Sequence, residues 1–472
     1  MRRINLFITA ALLSTILLSS CASDSGEEAY EPGAWTGEIS VVFRDSEPNT
    51  LSSEISAPQL ETVPPESAAP SAKEVLTKIK FDSLPVPVNE EFLEFCRDNY
   101  CEELYEGLLA LAPSVCEEDF YELTGCTPRV LYDRFMNAED VIFHDDKRKE
   151  AVRLGFTGDI CLSENWWPAI RLDTENGNVR KCLTNGLLGF MRRLDILLIN
   201  HEYSTSDRGE PLNGKLYTFR AKPERTQVLS DIGADIVSLA NNHVFDFGED
   251  AFDDTLDYLC SAGIPYVGAG MNRAEAEQIR YIISGGMKFA FVAATRAEKN
   301  IFTPNAGEDS RGVFYTYDDT RACSVISEAK QNADYVIVYV HWGTENSTVL
   351  EKAQTVTARN YIDAGADAVI GAHTHCLQGV EFYNGKPVFY SLGNFWFNGM
   401  PGDTGIARLT ITPYETTVSF VPCLQFSGAT ALAVGDEVQR ILSYLEEISD
   451  GKVSIDKNGV ITDAHSNAPA LH

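Results

Sequence analysis

The chain has 472 residues, 44% of them hydrophobic and 23% charged, with a formal net charge of −31 at pH 7. Such a composition is typical of a globular protein, long enough for one large domain with appendages. The strong negative charge excludes non-specific binding to nucleic acid, which needs basic surfaces, so we expect no nucleic-acid partner. We interpret most of the charge as a solvated acidic surface.

The first residues are typical of a targeting segment. Arg2 and Arg3 precede an apolar run over residues 6–18, which suits a signal-peptide core and is short for a membrane span. The LSSC sequence that follows resembles a bacterial lipoprotein box, in which Cys21 is lipidated; a plain secretory signal over residues 1–21 is the alternative. We therefore predict an extracytoplasmic protein anchored to the bacterial cell membrane as a lipoprotein.

Two segments separate this signal from the main domain. Residues 22–72 are rich in Ser, Pro, Glu and Ala, which predicts a disordered tether. Residues 73–149 carry apolar side chains at helical spacing, which predicts a small helical region without an assigned role. This region contains Cys96, Cys101, Cys116 and Cys126. In an oxidising compartment they predict one or two disulfides of unknown pairing, and a zinc site is the alternative.

From residue 151 the sequence alternates between strand-like and helix-like segments. Apolar runs predict core strands at Val152–Phe156, Ile196–Ile199, Ile236–Leu239, Tyr335–Val340 and Ala368–Ile370. The intervening segments have helical spacing, and three of them end at glycines suited to helix C-termini, namely Gly233, Gly263 and Gly365. This rhythm predicts an α/β domain with largely parallel strands over residues 151–426.

Further elements are predicted around these core strands. A Gly-Gly pair between two apolar runs predicts an antiparallel hairpin over Arg280–Thr295. Later runs at Ala407–Pro413 and Thr417–Gln425 predict strands that close a second sheet. Residues 427–472 are predicted to form an amphipathic helix over Asp436–Ile448 and a loosely ordered tail.

Each predicted core strand is followed by a residue that can bind a metal. In chain order these are Asp159, then Asn200-His201-Glu202, then Asn241-Asn242-His243, then His341, and finally His373-Thr374-His375. Because the carboxyl ends of parallel strands lie along one edge of a sheet, where ligands bind, these side chains should converge. Five of the eight histidines fall in these turns, which argues against coincidence.

The mixture of donors indicates which chemistry such a site would support. Carboxylate, amide and imidazole ligands together suit Mn, Fe or Zn better than calcium. A shared carboxylate can hold two divalent ions about 3.5–4 Å apart, which polarise a phosphoryl oxygen and lower the pKa of a bound water towards about 7. An uncoordinated imidazole nearby can protonate the leaving oxygen. We therefore predict one or two divalent ions in a hydrolytic site.

The motifs occur in the order found in a known family. The matching stretches are FTGDI, NHE, FRAKPE, SLANNHVFDFGEDAFDDTLDYL, YVGAG, HWGTE, DAGADAVIGAHTH and KPVFYSLGNFWF, which lie between Arg153 and Asn398. In this order they resemble the CapA-type poly-γ-glutamate capsule-synthesis proteins of the calcineurin-like metallophosphoesterase superfamily. The resemblance implies a four-layer α-β-β-α sandwich and a role in building or releasing an anionic envelope polymer.

The resemblance also implies a role for individual residues by their positions. The implied metal ligands are Asp159, Glu202, Asn242, His341, His373 and His375, with Glu202 in the bridging place. The implied catalytic imidazole, near the scissile phosphate, is His243. The residues implied to orient these groups through hydrogen bonds are Asp246, Glu345 and Asn394. For Asp246 and Glu345 the alternative is an ordinary surface carboxylate.

Three departures from the family pattern leave two functions open. Cys161 stands where many metallophosphoesterases have a histidine, His201 replaces a leucine, and GAHTH replaces GHHPH. We interpret Cys161 as a small buried thiol, with a zinc ligand as the alternative. The first function is a metal-dependent hydrolase or transferase acting on a phosphoester or on the anionic polymer. The second is a binding lipoprotein of an envelope synthesis or export complex that keeps the fold without turnover.

Overall fold

The computed structural model describes residues 149–465 except 299–300 and 413, together with residues 121, 125–127, 129–130, 133 and 141–145. The predicted signal peptide, the tether and most of the helical region lie outside the described residues, as do three of the four cysteines between residues 96 and 126. Those predictions therefore remain predictions, except that residues 141–145 of the predicted helical region form a β-strand. Within the described residues, none of the helices is both long and apolar enough to span a bilayer.

The described residues form strands and helices that alternate along the chain. The strands are β1 Val141–Asp145, β2 Val152–Ile160, β3 Ile196–His201, β4 Ser204–Thr205, β5 Arg220–Ala221, β6 Ile236–Ser238, β7 Tyr266–Val267, β8 Ala269–Gly270, β9 Arg280–Ser284, β10 Met287–Thr295, β11 Gly312–Val313, β12 Tyr335–His341, β13 Ala368–Ala372, β14 Leu377–Tyr383, β15 Lys386–Leu392, β16 Asn394–Trp396, β17 Gly402–Ile411, β18 Thr416–Phe426, β19 Ala429–Leu432, β20 Val453–Ile455 and β21 Val460–Asp463. The α-helices are α1 Trp167–Thr174, α2 Asn185–Met191, α3 Thr226–Ile232, α4 Gly248–Ser261, α5 Arg273–Ala276, α6 Thr320–Asn332, α7 Lys352–Ala364 and α8 Asp436–Ile448. Short 3-10 helices occur at Val179–Lys181 and Pro223–Arg225.

Most of the strands belong to two large sheets. The first sheet has the order β20-β21-β18-β17-β2-β3-β6-β7, with β16 paired to β2 and β19 paired to β18. In it β2, β3, β6 and β7 are parallel, and β17 joins β2 in the antiparallel sense. The second sheet has the order β1-β9-β10-β12-β13-β15-β14, in which β10, β12, β13 and β15 are parallel. The predicted hairpin is present as β9 and β10. The two later runs, predicted to close a second sheet, form β17 and β18 in the sheet that contains β2.

Three buried clusters of apolar side chains show how the layers are stacked. The two sheets face each other across a core that includes Phe156 of β2, Phe289 of β10 and Tyr339 of β12. On the outer face of the first sheet, α1 to α4 bury side chains such as Leu229. On the outer face of the second sheet, α6 and α7 bury side chains such as Ile326. The order helix, sheet, sheet, helix confirms the four-layer α-β-β-α sandwich.

The predicted core strands are present, and some extend further than their apolar runs. Strand β2 continues to Ile160 and β12 continues to His341, so Asp159 and His341 lie inside strands rather than after them. The predicted helix ends are also present, because Gly233 and Gly365 follow α3 and α7 with φ of 83° and 121°. Only glycine adopts such backbone angles readily.

The C-terminal part of the chain corrects one prediction. Helix α8 occupies the predicted residues Asp436–Ile448. The sequence predicts a loosely ordered tail after it, but β20 and β21 form an antiparallel hairpin, and β21 pairs with β18 at the edge of the first sheet. Val453 and Ile461 are 2% and 3% exposed, so burial of these short apolar runs stabilises the hairpin.

Candidate metal centre

The two sheets contribute different donors to one buried cleft. The first sheet supplies Asp159 near the end of β2, Glu202 directly after β3, and Asn242 with His243 after β6. The second sheet supplies His341 at the end of β12, and His373 with His375 after β13. All are buried apart from His375, whose side chain is 15% exposed. The structure thus brings together residues that lie more than two hundred positions apart.

The ligand atoms of these residues form two overlapping groups. Glu202, His341 and His373 present ligand atoms within 4.8 Å of one another, and so do Asp159, Glu202 and His375. The Oε1 atom of Glu202 lies 3.5 Å from Nε2 of His341, and Oδ2 of Asp159 lies 3.4 Å from Nδ1 of His375. Because Glu202 belongs to both groups, its position suits a carboxylate shared by two ions.

Two buried polar atoms in these groups indicate that the residues fit a metal. Oε1 of Glu202 and Nδ1 of His373 have no hydrogen-bond partner among the described residues. Leaving a buried polar atom unpaired costs free energy, so such atoms normally have a partner. A carboxylate oxygen and an imidazole nitrogen are also the donors that Mn, Fe and Zn accept. The donor set therefore fits one or two divalent ions.

Burial determines the charges of these groups. Burial, followed by the nearby Asp159 carboxylate, raises the pKa of Glu202 well above its usual range. Burial and the neighbouring imidazole of His373 lower the pKa of His341 well below its usual range. Burial also lowers the pKa of His373 to about 3. These imidazoles are therefore neutral, the form that binds metals, and a divalent cation would offset the two crowded carboxylates.

His375 differs from the other two histidines of the second sheet. Burial lowers the pKa of His375, but the Asp159 carboxylate, together with Glu345 and Asn394, raises the pKa overall. Nδ1 of His375 lies 2.8 Å from Oδ1 of Asn394, which pairs with Asp159 in the first sheet. His373 and His375 have φ of 94° and 57°, values that non-glycine residues rarely adopt and that cluster at functional sites.

Asn242 connects the first sheet to His341. Its Oδ1 lies 2.8 Å from Nε2 of His341, and its Nδ2 donates to Oε1 of Glu298 at 3.1 Å. The amide oxygen of Asn242 therefore lies against the group formed by Glu202, His341 and His373. This is the position that the resemblance implies for an amide ligand.

His243 has a carboxylate partner of its own. Its Nδ1 lies 2.6 Å from Oδ2 of Asp246, and its Nε2 lies 4.0 Å from Oε1 of Glu202. Asp246 is fully buried and also accepts a hydrogen bond from the backbone N–H of Phe219 at 2.7 Å. A carboxylate that fixes Nδ1 leaves Nε2 of the imidazole directed at the ligand groups.

A buried lysine supports this region, and sequence reasoning missed it. The side chain of Lys215 is 3% exposed, and its Nζ lies 2.8 Å from Oδ1 of Asp246 and 3.1 Å from Oε2 of Glu298. The ammonium also donates to the backbone carbonyl of Asn242. Lys215 lies in a loop and Glu298 lies in a short turn after β10, and neither belongs to a motif, so no local signal in the sequence identifies them.

Two asparagines, which the sequence analysis placed among the residues after the core strands, form a second support. Nδ2 of Asn200 donates to Oδ1 of Asp159 at 2.8 Å and to Oε2 of Glu202 at 3.3 Å. Oδ1 of Asn200 accepts from Nδ2 of Asn241 at 3.2 Å, and Oδ1 of Asn241 accepts from the backbone N–H of His243 at 3.0 Å. Both asparagines adjoin predicted ligands in the sequence, so their motifs already contained this signal.

Three residues singled out from the sequence lie apart from the ligand groups. Glu345 is on the exposed surface and acts on Glu202 through space, adding to its raised pKa. The His201 ring stacks on Tyr203 at 3.8 Å, and burial lowers its pKa to about 3. Cys161 is fully buried, which raises the pKa of its thiol well above the usual range, so the thiol stays protonated.

Gly158 lies against Gly393, the residue that links β15 of the second sheet to β16 of the first sheet beside the centre. The backbone N–H of Asp159 donates to the carbonyl of Gly393 at 2.9 Å. A Cβ added to Gly158 would lie 1.8 Å from that same carbonyl oxygen, which is too close for any side chain. The backbone N–H of His373 lies 3.3 Å from Oδ2 of Asp159, so this contact places the two ligands next to each other.

The fold and the two ligand groups define an α-β-β-α protein with a candidate metal centre between its two sheets. Residues 153–399, just over half of the chain, match the family model described as "Bacterial capsule synthesis protein PGA_cap". The chain belongs to this family of bacterial capsule synthesis proteins, which confirms the resemblance found in the motifs.

Relatives of known name are also capsule proteins. The "PGA biosynthesis protein CapA" of Bacillus subtilis (strain 168) is 30% identical over an alignment 247 residues long, which covers 49% of this chain and 64% of that protein. The "Capsule biosynthesis protein CapA" of Bacillus anthracis is 35% identical over 182 residues, which are 38% of this chain and 44% of that protein. The matched part of this chain thus spans less than two thirds of either relative.

Solved structures resemble the chain in part. A hypothetical protein from Thermus thermophilus has a TM-score of 0.38 and 18% identity, and the match covers 58% of this chain and 99% of that chain. The NAD nucleotidase (NadN) of Haemophilus influenzae has a TM-score of 0.36 and 16% identity, and the match covers 66% of this chain and 58% of that chain.

Proposed function

We propose that this protein is a metal-dependent phosphoester hydrolase that acts in capsule or poly-γ-glutamate synthesis. One observation carries the proposal: Glu202 is shared by two groups of ligand atoms, and the Asp246-supported imidazole of His243 lies beside them. Paired groups of O and N donors with a free imidazole are suited to hydrolysis of a phosphoester. The capsule pathway is supported by the family to which the chain belongs.

The chain's own residues divide the chemistry among them. Divalent ions bound to these ligands would polarise a phosphoryl oxygen and make a water more acidic. His341 and His373 are neutral and would ligate the ions without adding charge, whereas Asp159 and Glu202 would offset the charge of the ions. Nε2 of His243 gives a proton to the leaving alcohol as the phosphorus–oxygen ester bond breaks. The oxygen of water forms the new bond to phosphorus and loses one proton to solvent, and His243 regains a proton from solvent, so the products are an alcohol and a phosphate.

A generic phosphodiester tests this function directly. Full-length protein loaded with Mn²⁺ should hydrolyse bis(p-nitrophenyl) phosphate, and a chelator should abolish the turnover. His243→Ala should lose turnover while it keeps its metal content, measured by elemental analysis. Turnover by the loaded protein that is no greater than that of His243→Ala would contradict the proposal.

One observation favours a second candidate, a binding lipoprotein that has the fold without turnover. Cys161 is a buried, protonated thiol where many metallophosphoesterases have a histidine, so the group of Asp159, Glu202 and His375 lacks one expected donor. In this case the protein would bind an anionic polymer or organise an envelope complex. A content of one ion per chain, together with absent turnover, would support it.

We also propose that the protein is lipid-anchored at Cys21 on the outer side of the cell membrane, and the LSSC sequence supports this. Expression of the full chain with Cys21→Ser should move the protein from the membrane fraction to the soluble fraction, whereas Cys423→Ser should leave it in the membrane. A membrane-bound Cys21→Ser protein would contradict the anchor.

A further inference from the structure

Several apolar side chains of α1 and of the loops before β5 and after β16 are exposed. Trp167, Ile170, Leu216, Tyr217 and Met400 are 54%, 48%, 83%, 52% and 70% exposed. Single exposed apolar residues are ordinary on a protein surface, but a contiguous patch indicates a binding surface. We call these five side chains the apolar rim.

The apolar rim is assembled from three segments of the chain that contact one another. In α1, Trp167 and Ile170 lie one turn apart on the same face. Gly399 lies so close to the Trp167 ring that an added Cβ would be 2.4 Å from it. The backbone of Met400, the next residue, therefore lies near Trp167. The ring of Trp166 lies 6.3 Å from that of Tyr217, which joins the third segment.

Two aromatic side chains connect the apolar rim to the candidate centre. The ring of Phe219 lies 4.5 Å from that of His243 and 5.0 Å from that of Trp166. The ring of Phe397 lies 4.7 Å from that of His375. Met400 of the apolar rim follows three residues later, so its Cα lies at most about 11 Å from that of Phe397. A ligand bound at the metal ligands could therefore extend along aromatic side chains to the rim.

The side chains along this path also indicate the charge of the ligand. A polymer with a repeated negative charge would need cations along its course, and the chain as a whole carries a net charge of −31. The linking side chains are instead the aromatic rings of Phe219, Phe397 and Trp166. Lys215 is occupied by Asp246 and Glu298. The path therefore suits an uncharged apolar group.

We propose that the phosphoester bound here is an amphiphile, with its phosphoryl group at the metal ligands and an apolar chain along the apolar rim. This inference rests on the proposed function, because the phosphoryl group is placed by the metal centre. It adds a class of substrate, a lipid-like phosphoester, in place of a polyanion or a small polar phosphoester.

Binding of two alkyl phosphates with the same head group tests the proposal. Full-length protein loaded with Mn²⁺ is titrated calorimetrically with butyl phosphate and with octyl phosphate, both below the concentration at which micelles form. Each fully buried methylene strengthens binding by about fourfold, and the rim is an open surface. We therefore expect octyl phosphate to bind at least about tenfold more tightly than butyl phosphate.

Variants of the apolar rim test whether it causes the difference in affinity between octyl phosphate and butyl phosphate. The double variant Leu216→Ser with Met400→Ser should bring the two affinities close together and leave that of butyl phosphate unchanged. The matched control is Tyr414→Ser, because Tyr414 is 64% exposed and follows β17 beside the start of β2, at the other end of the sheet. This control should keep the full preference for octyl phosphate.

The possible results separate this inference from the proposed function. Equal affinities for the two phosphates, or a preference that survives in the double variant, would overturn the amphiphile and leave the hydrolase in place. Octyl glucoside that binds as tightly as octyl phosphate would show a surface for any apolar chain, and would also overturn it. Failure of the loaded protein to bind either phosphate would overturn both proposals.

Discussion

The first sheet and the second sheet present opposite chemistry at the cleft between them. The first sheet contributes the acidic and amide donors Asp159, Glu202 and Asn242, whereas the second contributes the imidazoles of His341, His373 and His375. Each of the two ligand groups draws on both sheets. Neither sheet therefore carries a metal site of its own, and a bound ion would also join the two sheets.

The largest effect should come from the one residue common to both groups. Glu202→Gln removes a charged ligand from both, so we expect no metal to remain after dialysis, whereas His375→Ala should affect only one group. Loss of a ligand should exceed the 10- to 100-fold loss of affinity typical for residues that merely orient ligands. Elemental analysis of the dialysed protein measures the metal content.

His201→Leu is the matched control for this prediction. His201 is the last residue of β3, directly before Glu202, and its buried imidazole faces the helical layer. The metal content should therefore not change. If Glu202→Gln retains the wild-type metal content, the idea of a shared carboxylate is wrong.

His243 comes from the first sheet but should not behave as one of its ligands. Removal of a general acid typically slows a reaction by about 10²- to 10⁴-fold. We expect His243→Ala to reduce hydrolysis of bis(p-nitrophenyl) phosphate by this factor with unchanged metal content. Asp246→Asn should have a smaller effect, because the imidazole remains. A loss of metal in His243→Ala would instead place His243 among the ligands.

Lys215 tests whether the first sheet depends on a buried cation outside the strands. Lys215→Met leaves the carboxylate of Asp246 buried without its cation, and breaking such a pair costs about 3 kcal/mol. Denaturant unfolding of the metal-free protein measures the difference in stability. Lys386→Met is the control, because the Lys386 side chain, which pairs with Asp367, is 42% exposed. This ion pair should contribute at most about 1 kcal/mol to the free energy of unfolding. Similar effects of the two substitutions would contradict the role given to Lys215.

The smallest effect concerns the opposite end of the sandwich, where His144 of the second sheet contacts residues preceding strands of the first. Nε2 of His144 lies 3.1 Å from Oδ1 of Asp235, and Nδ1 lies 2.9 Å from the carbonyl of Asp195. The hydrogen bond to Asp235 raises the pKa of His144 above 6.5 despite partial burial. A raised pKa stabilises the folded protein below pH 6.5, and this stabilisation is lost as the pH rises through the folded-state value.

His144→Gln should therefore destabilise the protein at about pH 5.5 and not at about pH 9. Because the His144 side chain is 44% exposed, solvent screening keeps the effect below about 1 kcal/mol. Urea unfolding at the two pH values measures it, with His465→Gln, at an exposed position, as the control. An equal loss at both pH values would mean that the contact does not depend on the charge of His144.

The ligand positions could be predicted because each follows or ends an apolar run of a core strand. Assignment of the strands to sheets could not, since Val152–Phe156 and Tyr335–Val340 look alike but lie in different sheets. Pairing depends on contacts between residues far apart in the chain. The sequence argument placed all donors on the edge of one sheet, whereas the structure places them on two facing edges.

The difference between His201 and His243 was predictable in principle. Successive side chains of a strand point to opposite faces. Asn200 and Glu202 both reach Asp159 or its neighbours in the cleft, so His201 between them must face the helical layer, as it does. By contrast, Lys215 and Glu298 belong to loops, where neither periodicity nor a motif fixes the direction of a side chain.

The close approach of Gly158 to the carbonyl of Gly393 has a consequence for ion selectivity. Side-chain ligands can adapt to a larger or smaller cation by rotating about their bonds, but this contact between two main chains has no such freedom. The spacing between the carboxylate ligands of the first sheet and the imidazole ligands of the second sheet is therefore set by the backbone. Selection among cations by radius would then depend on two residues that never touch the ion.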